Sequence, residues 1–577
     1  MHKVKSFSTT VSKSEPRFAT RFLGLPRFNP ANLFNLMKIL VLTICFSFSA
    51  KAQVTVVDSG YCGAYGNNLA WVLTSDSVLT ISGSGDMANY GNRNNYVPWY
   101  QYRKSINTVI IKTNVTSIGD CAFGDCINLM SITISNSVIK IGIYSFHYCI
   151  NLTSITLPNS VKWIEALAFS SCVNLTSITL SNNITDIGNN AFSGCASLIS
   201  ISIPNSVKSI GREAFSGCEK LNTITFSYGV ASIGDLAFAG CVALTYISLP
   251  NSITNIGAGI FAYCTALDSI HVESENNSYA SENGILFNKN KTALICCPAG
   301  KMGLYIVPNS VTSIADYAFC SCTNLSSITI PNNLTNIGAL AFYRCENLIS
   351  INIPDNVTSI GTRAFGFCTS LTSITLSNKL TNIDEFLFES CASLISIIIP
   401  DNVIGIGSSA FENCTNLTTI TIPKNITSIQ TYAFAYCNNL KLIINFNPLP
   451  IDIHFTVFEG LYKGKCTLKV PINSVSNYKN TDIWKEFNIV DIEVGIKNIE
   501  TIVGKIYPNP TNGQLTIEYS DGACPITTEE YTIYSVMGQI VMRRDAMHCV
   551  STINVESLAN GMYYLKIADR VIKFVKE

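Results

Sequence analysis

Hydrophobic positions between residues 106 and 444 recur every 23 residues, and cysteine makes the period visible. Cys126, Cys149, Cys172, Cys195, Cys218, Cys241 and Cys264 are spaced by 23, and the series resumes through Cys322, Cys345, Cys368, Cys391, Cys414 and Cys437. Each of these thirteen cysteines has a Phe three residues before it, from Phe123 to Phe434, and a Leu three after it, from Leu129 to Leu440. The unit reads V-x-x-I-G-x-x-A-F-x-x-C-x-x-L-x-S-I-x-I-P-x-x. Self-similarity at such a period is the mark of a solenoid. Within one unit, Ile155 and Leu157 alternate with Ser154 and Thr156, which predicts a strand with one buried face. Pro158 and Asn159 turn the chain, and Val161 and Ile164 point inward along a second short leg. Ala168, Phe169, Cys172 and Leu175 form one stripe of a short helical turn. A single coil cannot shield these side chains, but coils stacked on one another bury them in a continuous core.

The L-x-x-I-x-I strand segment resembles that of leucine-rich repeats. The I-G-x-x-A-F-x-x-C-x-x-L segment resembles the BspA-like subfamily, over residues 106–444. The resemblance implies a leucine-rich-repeat solenoid, with a parallel sheet on one face and short strands and helical turns on the other. Strands stacked about 4.8 Å apart would make fourteen or so coils a rod or arc on the order of 65 Å. Cys264 and Cys322 are 58 residues apart, two periods plus 12. In this insert, near 273–308, Ile285-Leu286-Phe287 and Ala293-Leu294-Ile295 flank Asn288–Thr292, a hairpin signal. The solenoid is expected to continue through the insert, with the hairpin protruding.

Stacked equivalent cysteines keep their Cβ atoms about 5 Å apart, whereas a disulfide needs about 3.8 Å. The column therefore reads as free buried thiols acting as small hydrophobes, against the oxidising bias of an exported protein. Cys62, Cys121, Cys296, Cys297, Cys320, Cys466, Cys524 and Cys549 lie off the column and are the ones expected to pair, Cys524 with Cys549 first.

The flanks break the period. Residues 53–105 carry short strands at Trp71–Leu73 and Val78–Ile81. They resemble the segment that often precedes BspA-like repeats and should cap the first coil, whose open edge would otherwise aggregate. Residues 445–497 resemble the family's C-terminal cap through Asn447-Pro448-Leu449-Pro450, Tyr478 and Trp484. Residues 498–577 alternate strands with Asn-Gly and Met-Gly turns and predict a small all-β sandwich. Tyr507, Pro508, Asn509, Pro510, Gly513, Gly538, Gly561 and Lys573 make this module similar to the type A C-terminal sorting domain of type IX secretion. That resemblance implies the type IX machinery as a partner. It also implies passage to the outer surface of a Gram-negative cell, removal of the module there, and often attachment to lipopolysaccharide.

At the other end, residues 37–52 read MKILVLTICFSFSAKA. Lys38, the apolar run Ile39–Ser49 and the small residues Ala50 and Ala52 make a signal peptide, cleaved before Gln53. Residues 1–36 do not fit that pattern and read as an upstream extension of the reading frame, or else as a long leading region of the signal. No other apolar run is long enough to span a bilayer, so no transmembrane segment is expected in the mature chain.

Composition narrows the function. Lys+Arg and Asp+Glu are 38 each, so there is no basic surplus to release counterions from a nucleic acid. Hydrophobic residues reach 47%, which supplies a sizeable core and excludes general disorder. Five histidines, without HExxH or metal-ligand spacing, offer no metal site. There is no nucleophile elbow, Walker loop or dinucleotide fingerprint. His147 and Cys149 are two apart, and His147 reads as an outward residue rather than half of a Cys–His dyad. No catalytic, cofactor or metal residue is predicted, and the protein reads as non-enzymatic.

The outward strand positions form two hydroxyl columns. One runs Ser131, Ser154, Ser177, Ser200, Thr223, Tyr246, Ser269 and the other Thr133, Thr156, Thr179, Ser202, Thr225, Ser248, His271. Tyr246 and His271 interrupt the columns on adjacent coils beside the insert. With Ser248 and Thr225 they are the candidate partner-binding residues, since aromatic side chains with a wet tip favour interfaces. The expected role is a secreted, cell-surface protein that binds other proteins. The family resemblance implies adhesion to host or matrix proteins, or to another cell. The alternatives are a Ser/Thr array that meets carbohydrate or ice, and a passive structural rod.

Overall fold

The computed structural model describes residues 53–91 and 95–492. In the C-terminal module it describes 506–507, 514–517, 529–535, 540–547, 552–558, 561–567 and 570–576. The signal peptide, the segment before it, Cys524 and Cys549 lie outside the described residues.

Each coil has three legs, and each leg stacks on its equivalent 23 residues away. On the long-strand face Ser154, Ile155 and Thr156 pair in parallel with Ser177, Ile178 and Thr179. On the second face Trp163 and Ile164 pair with Asp186 and Ile187. The third leg departs from the expected helical turn. It is a succession of tight turns in which Leu167 (φ 58°) and Ser171 (φ 62°) adopt the left-handed conformation. Cys172 N donates back to Phe169 O (3.3 Å), but Leu167, Phe169 and Ser171 donate forward to Asn189, Ala191 and Ser193 of the next coil (2.9, 2.8 and 2.7 Å). A helix would keep its backbone bonds within one coil. The left-handed residues instead turn every second N–H along the solenoid axis, where the neighbouring coil satisfies it.

Buried phenylalanines stack face to face along the interior in two runs, from Phe123 to Phe261 and from Phe319 to Phe458. The column cysteines are free thiols, and they are buried. From Cys149 to Cys264 and from Cys345 to Cys437 each donates its S–H to a phenylalanine carbonyl of an earlier coil, as Cys172 Sγ does to Phe146 O at 3.2 Å, while Cys322 donates to Cys297 O and Pro298 O. Burial pushes the thiols of Cys172, Cys218 and Cys437 up to about 12. The off-column thiols correct the expectation of pairing: Cys62, Cys121, Cys296, Cys297, Cys320 and Cys466 are also free. Cys62 and Cys466 lie at opposite ends of the solenoid, and Cys296 and Cys297 are consecutive residues buried as small apolar groups.

The insert also differs from expectation. Its strands Tyr279–Glu282, Ile285–Asn288 and Ala293–Cys296 do not protrude, because Ile285, Leu286 and Phe287 are buried in the core. Exposing three consecutive large apolar residues would forfeit about 1.5–3 kcal/mol each. Leu294 pairs with Ile314, which carries the short-strand ladder onward. Gly300 N bonds Leu267 O behind, and Cys297 N bonds Ala318 O ahead, both at 2.7 Å. The chain path is thus continuous, yet the apolar core forms two clusters that share the hairpin: Leu286 belongs to the first, and Ile285, Phe287 and Leu294 to the second. The turn leg of this coil is short. Its Leu294 and Cys297 are three apart where Ile164 and Phe169 are five apart. The bulging turns on either side therefore meet over it, with the rings of Tyr263 and Tyr343 edge to face at 6.3 Å.

At the N-terminal end, strands Val56–Gly63, Gly66–Thr74 and Val78–Gly83 form an antiparallel meander. Its last strand pairs in parallel with Thr108–Ile111. Trp99 stacks on Phe123 at 5.7 Å and so covers the end of the phenylalanine column. At the other end Leu442–Asn445, Thr467–Val470 and Asn488–Asp491 extend the sheet, and Trp484 lies edge-on to Phe458. The C-terminal module has two antiparallel sheets. One holds Ile506–Tyr507, Gln514–Ile517 and Thr552–Asn554; the other holds Glu529–Ser535, Ile540–Met547, Gly561–Ile567 and Arg570–Lys576.

Candidate binding surface

The long-strand face carries the outward hydroxyl columns. Tyr246 pairs with Ser269, and Ser248 pairs with His271. Tyr246, Ser248 and His271 therefore share one two-stranded ladder, with Tyr246 and His271 on its diagonal. Tyr246 is 53% exposed. Thr225 is exposed but belongs to the preceding ladder, where it pairs with Ser202. The insert closes directly on the His271 strand, because Ile270 N donates to Gly284 O at 2.9 Å. A Cβ at Gly284 (φ +78°) would stand 2.6 Å from Ser269 Oγ, so this approach requires glycine.

The strand after the insert, Gly303–Ile306, holds residues that sequence reasoning missed. Leu304 pairs with Ser327 and Ile306 with Thr329, so both occupy the outward columns. They are 62% and 63% exposed, and Met302 beside them is exposed as well. Tyr305 points inward and lies 5.9 Å from Phe319. The insert had hidden the repeat phase. The readable signal was four residues, G-L-Y-I, in which the apolar side chains stand where other coils place Ser and Thr. The outward columns thus depart from Ser and Thr on both sides of the insert, at Tyr246 and His271 before it and at Leu304 and Ile306 after it.

A second departure lies farther along the same face. A groove of about 670 Å³ is lined by Asn352, Asp355, Thr375, Asn378, Ser396 and Ile398, among others. Its cause is local. Most coils place Gly and Ala at two tight positions, and Gly361 shows why: a Cβ there would lie 2.5 Å from Ala339 N. The coil at 382–391 has Asp384 and Leu387 instead. The Phe365–Phe388 centroid distance widens to 5.8 Å. Phe238–Phe261 widens to 6.0 Å where Ile260 replaces the same alanine. The other stacked phenylalanine pairs lie between 4.9 and 5.5 Å. The short-strand ladder stops at Ser359–Ile360 and restarts at Asn382–Ile383. The long strands Ser373–Thr375 and Ser396–Ile398 are unpaired with each other, as long strands also are at other coil boundaries, such as Ser177–Thr179 and Ser200–Ile203. Asn378 donates through N and Nδ2 to Asp355 Oδ1, both at 3.2 Å. Asn352, Thr375 and Ser396 remain exposed and open to hydrogen-bonding groups.

Among the described residues, no three His, Cys, Asp or Glu side chains converge to hold a metal ion. No helix there is long and apolar enough to cross a membrane. Of the sorting-motif residues, Tyr507 ends strand Ile506–Tyr507, Gly561 opens Gly561–Ile567, and Lys573 pairs with Tyr564. Pro508, Asn509, Pro510, Gly513 and Gly538 lie outside the described residues.

The family model for the BspA type leucine rich repeat region matches residues 98–200, 185–290, 302–407 and 335–463. The model for the secretion system C-terminal sorting domain matches 505–577. No curated protein matches the chain. Among solved structures, a leucine-rich repeat protein from Eubacterium ventriosum is 28% identical, with a TM-score of 0.46, over 70% of this chain and 95% of that one. A leucine rich cell surface protein from Faecalibacterium prausnitzii is 28% identical, with a TM-score of 0.45, over 68% and 94%. A leucine-rich repeat protein from Bacteroides ovatus is 29% identical, with a TM-score of 0.39, over 65% and 93%.

Proposed function

The chain belongs to the BspA-type leucine-rich-repeat family and carries a type IX sorting domain, and from that premise we propose that it is a non-catalytic adhesin delivered to the cell surface. Its ligand is an extracellular protein of a host, a matrix or another cell. The observation that supports this reading best is the exposure of Leu304 and Ile306, two apolar residues on one strand, in columns that are mostly Ser and Thr. An apolar patch rimmed by polar residues is costly in water and marks an interaction site. Tyr246 and His271, on the other side of the insert, add aromatic, hydrogen-bonding groups of the kind that dominate interface energetics. The sorting domain supplies the address, with the type IX machinery as its partner, and the protein is either anchored outside or released. The segments 53–105 and 445–497 cap the two ends of the solenoid, as their strand extensions support. Immobilised matrix proteins probed with protein purified from residue 53 onward test this reading. Binding that weakens at least tenfold in a Leu304→Asp, Ile306→Asp variant supports it, and binding that is absent from every protein surface tried refutes it.

The groove favours a second reading, in which the face meets a neutral glycan. Its amides and hydroxyls offer balanced donors and acceptors, and Ile398 adds an apolar floor. An array of neutral oligosaccharides separates the two readings.

A further inference from the structure

One coil concentrates exposed apolar side chains on the faces away from the long strands. Ile143, Tyr144 and Tyr148 are exposed on its turn leg, and Trp163 stands next to it on the short-strand face. Trp163 is 42% exposed, whereas Trp71, Trp99 and Trp484 are buried. The ladder around it is polar, since its cross-strand neighbours are Lys140 and Asp186. Two coils farther on, the positions of Ile143, Tyr144 and Tyr148 are Asn189, Asn190 and Gly194. Tyr144 (φ 56°) and Tyr148 (φ 59°) hold left-handed backbone, where Gly194 and Gly217 sit in equivalent turns without steric cost. Bulky residues adopt that conformation less readily than glycine. Both rings remain exposed, as do Tyr432 and Tyr436 at the equivalent positions of a later coil, but among the described residues only this coil adds an exposed Ile and an exposed Trp beside them.

His147 ties the patch together. Its ring lies edge-on to Tyr144 at 5.3 Å and 6.1 Å from Tyr148. Its Nδ1 is buried without a hydrogen-bond partner. Carboxylates border the rings on the preceding coil. Asp120 Oδ1 accepts from Ile143 N at 2.8 Å, and Asp125 N donates to His147 O at 2.8 Å. Neither Asp120 nor Asp125 makes an ion pair among the described residues, while Lys140 is already paired with Glu165 at 3.0 Å. Lys162, which makes no ion pair among the described residues, stands 6.0 Å from the Trp163 centroid, so two unpaired carboxylates face one unpaired cation across the patch.

We propose that this face, independent of the long-strand patch, binds a basic apolar polypeptide segment. Its aliphatic side chains pack on Ile143, Tyr144 and Trp163, and its Arg or Lys side chains lie over the aromatic rings and pair with Asp120 and Asp125. The uncompensated carboxylates select against an acidic segment of the same hydrophobicity.

The test uses the purified protein and a labelled peptide of alternating Arg and Leu, with a Glu and Leu peptide of equal length as control. Anisotropy should detect binding of the Arg peptide that falls with salt, and the Glu peptide should bind at least tenfold more weakly. Tyr148→Ser and Trp163→Ser should each weaken binding roughly tenfold, in the range expected of an aromatic anchor. Tyr228→Ser, at an exposed ring farther along the solenoid, should leave it unchanged. Iodide quenching of the unmodified protein gives a second readout, because Trp163 supplies the accessible indole. The Arg peptide should shield it. Equal binding of the Glu peptide, unshielded Trp163, or wild-type affinity in the Tyr148→Ser variant overturns the proposal.

Discussion

Truncating Phe238 to alanine should destabilise the solenoid by about 4 kcal/mol. Phe238 is fully buried. Its ring stacks on Phe215 at 5.4 Å and on Phe261 at 6.0 Å, and meets Phe226 edge-on at 6.0 Å. Removing it loses the transfer free energy of a buried aromatic and leaves a cavity between two coils, which together span about 3–5 kcal/mol. The cavity cannot close readily. Phe238 N is bonded to Ile260 O at 3.0 Å, and Cys264 Sγ donates to Phe238 O at 3.1 Å, so the backbone of both coils is pinned on either side. That places the expected value in the middle of the range rather than at its foot. Guanidinium unfolding followed by far-ultraviolet circular dichroism measures the shift in midpoint, with Phe446→Ala, at an exposed ring, as the control. A loss below about 1 kcal/mol would mean that the column does not hold the coils together, because so small a change is typical of surface sites.

Denatured protein should show at least nineteen free thiols, the number unpaired in the described residues, whereas the native protein should react with a thiol reagent mainly at half-buried Cys121. A fully oxidised chain would contradict this. The buried thiols are neutral in the fold, with values raised from 9.0 to about 12 for Cys172, Cys218 and Cys437. The unfolded chain therefore loses protons first, so stability is fully present below pH 9 and should fall as pH rises from there towards 12; a flat unfolding midpoint across that window would count against the thiol column. Leu387→Ala should cost less than about 2 kcal/mol, below the usual 2–5 for a buried leucine, because it relieves an overpacked contact. A crystal structure of that variant should show Phe365 and Phe388 closer than 5.8 Å and a narrower groove, and an unchanged spacing would remove Leu387 as the cause. Deleting residues 502–577 should leave a folded solenoid stranded in the periplasm in cell-fractionation blots, and surface delivery without the module would overturn its role as the address.

The 23-residue period was legible because identical residues stack on one another, so the Cys and Phe columns in space are columns in the sequence. The strand faces were legible for the same reason, through the alternation of Ser154, Ile155, Thr156 and Leu157. The third leg was not. Ala168, Phe169, Cys172 and Leu175 give the same inward stripe whether the backbone is a helix or a run of turns. The left-handed positions hold Leu167 and Ser171 in one coil and Asn190 and Gly194 in the next, so no uniform Gly or Asn signature marks them. Ile285-Leu286-Phe287 announced a hairpin, but its apolar content, which decides that it is buried, was set aside in favour of a protruding loop. Half of the strand-face patch was visible in Tyr246 and His271. Leu304 and Ile306 were hidden because the insert shifts the phase. The groove was visible only as two small deviations, Asp384 for Gly and Leu387 for Ala, whose consequence depends on how closely adjacent coils pack.

Binding through the break in the hydroxyl columns is tested most directly by site-specific photocrosslinking. A photoreactive residue placed at Leu304, and separately at Ser154 in the regular array, would be presented to the matrix protein that binds best. The account predicts a crosslinked product from position 304 and none from position 154. Equal products from both positions, or a product from 154 alone, would contradict it.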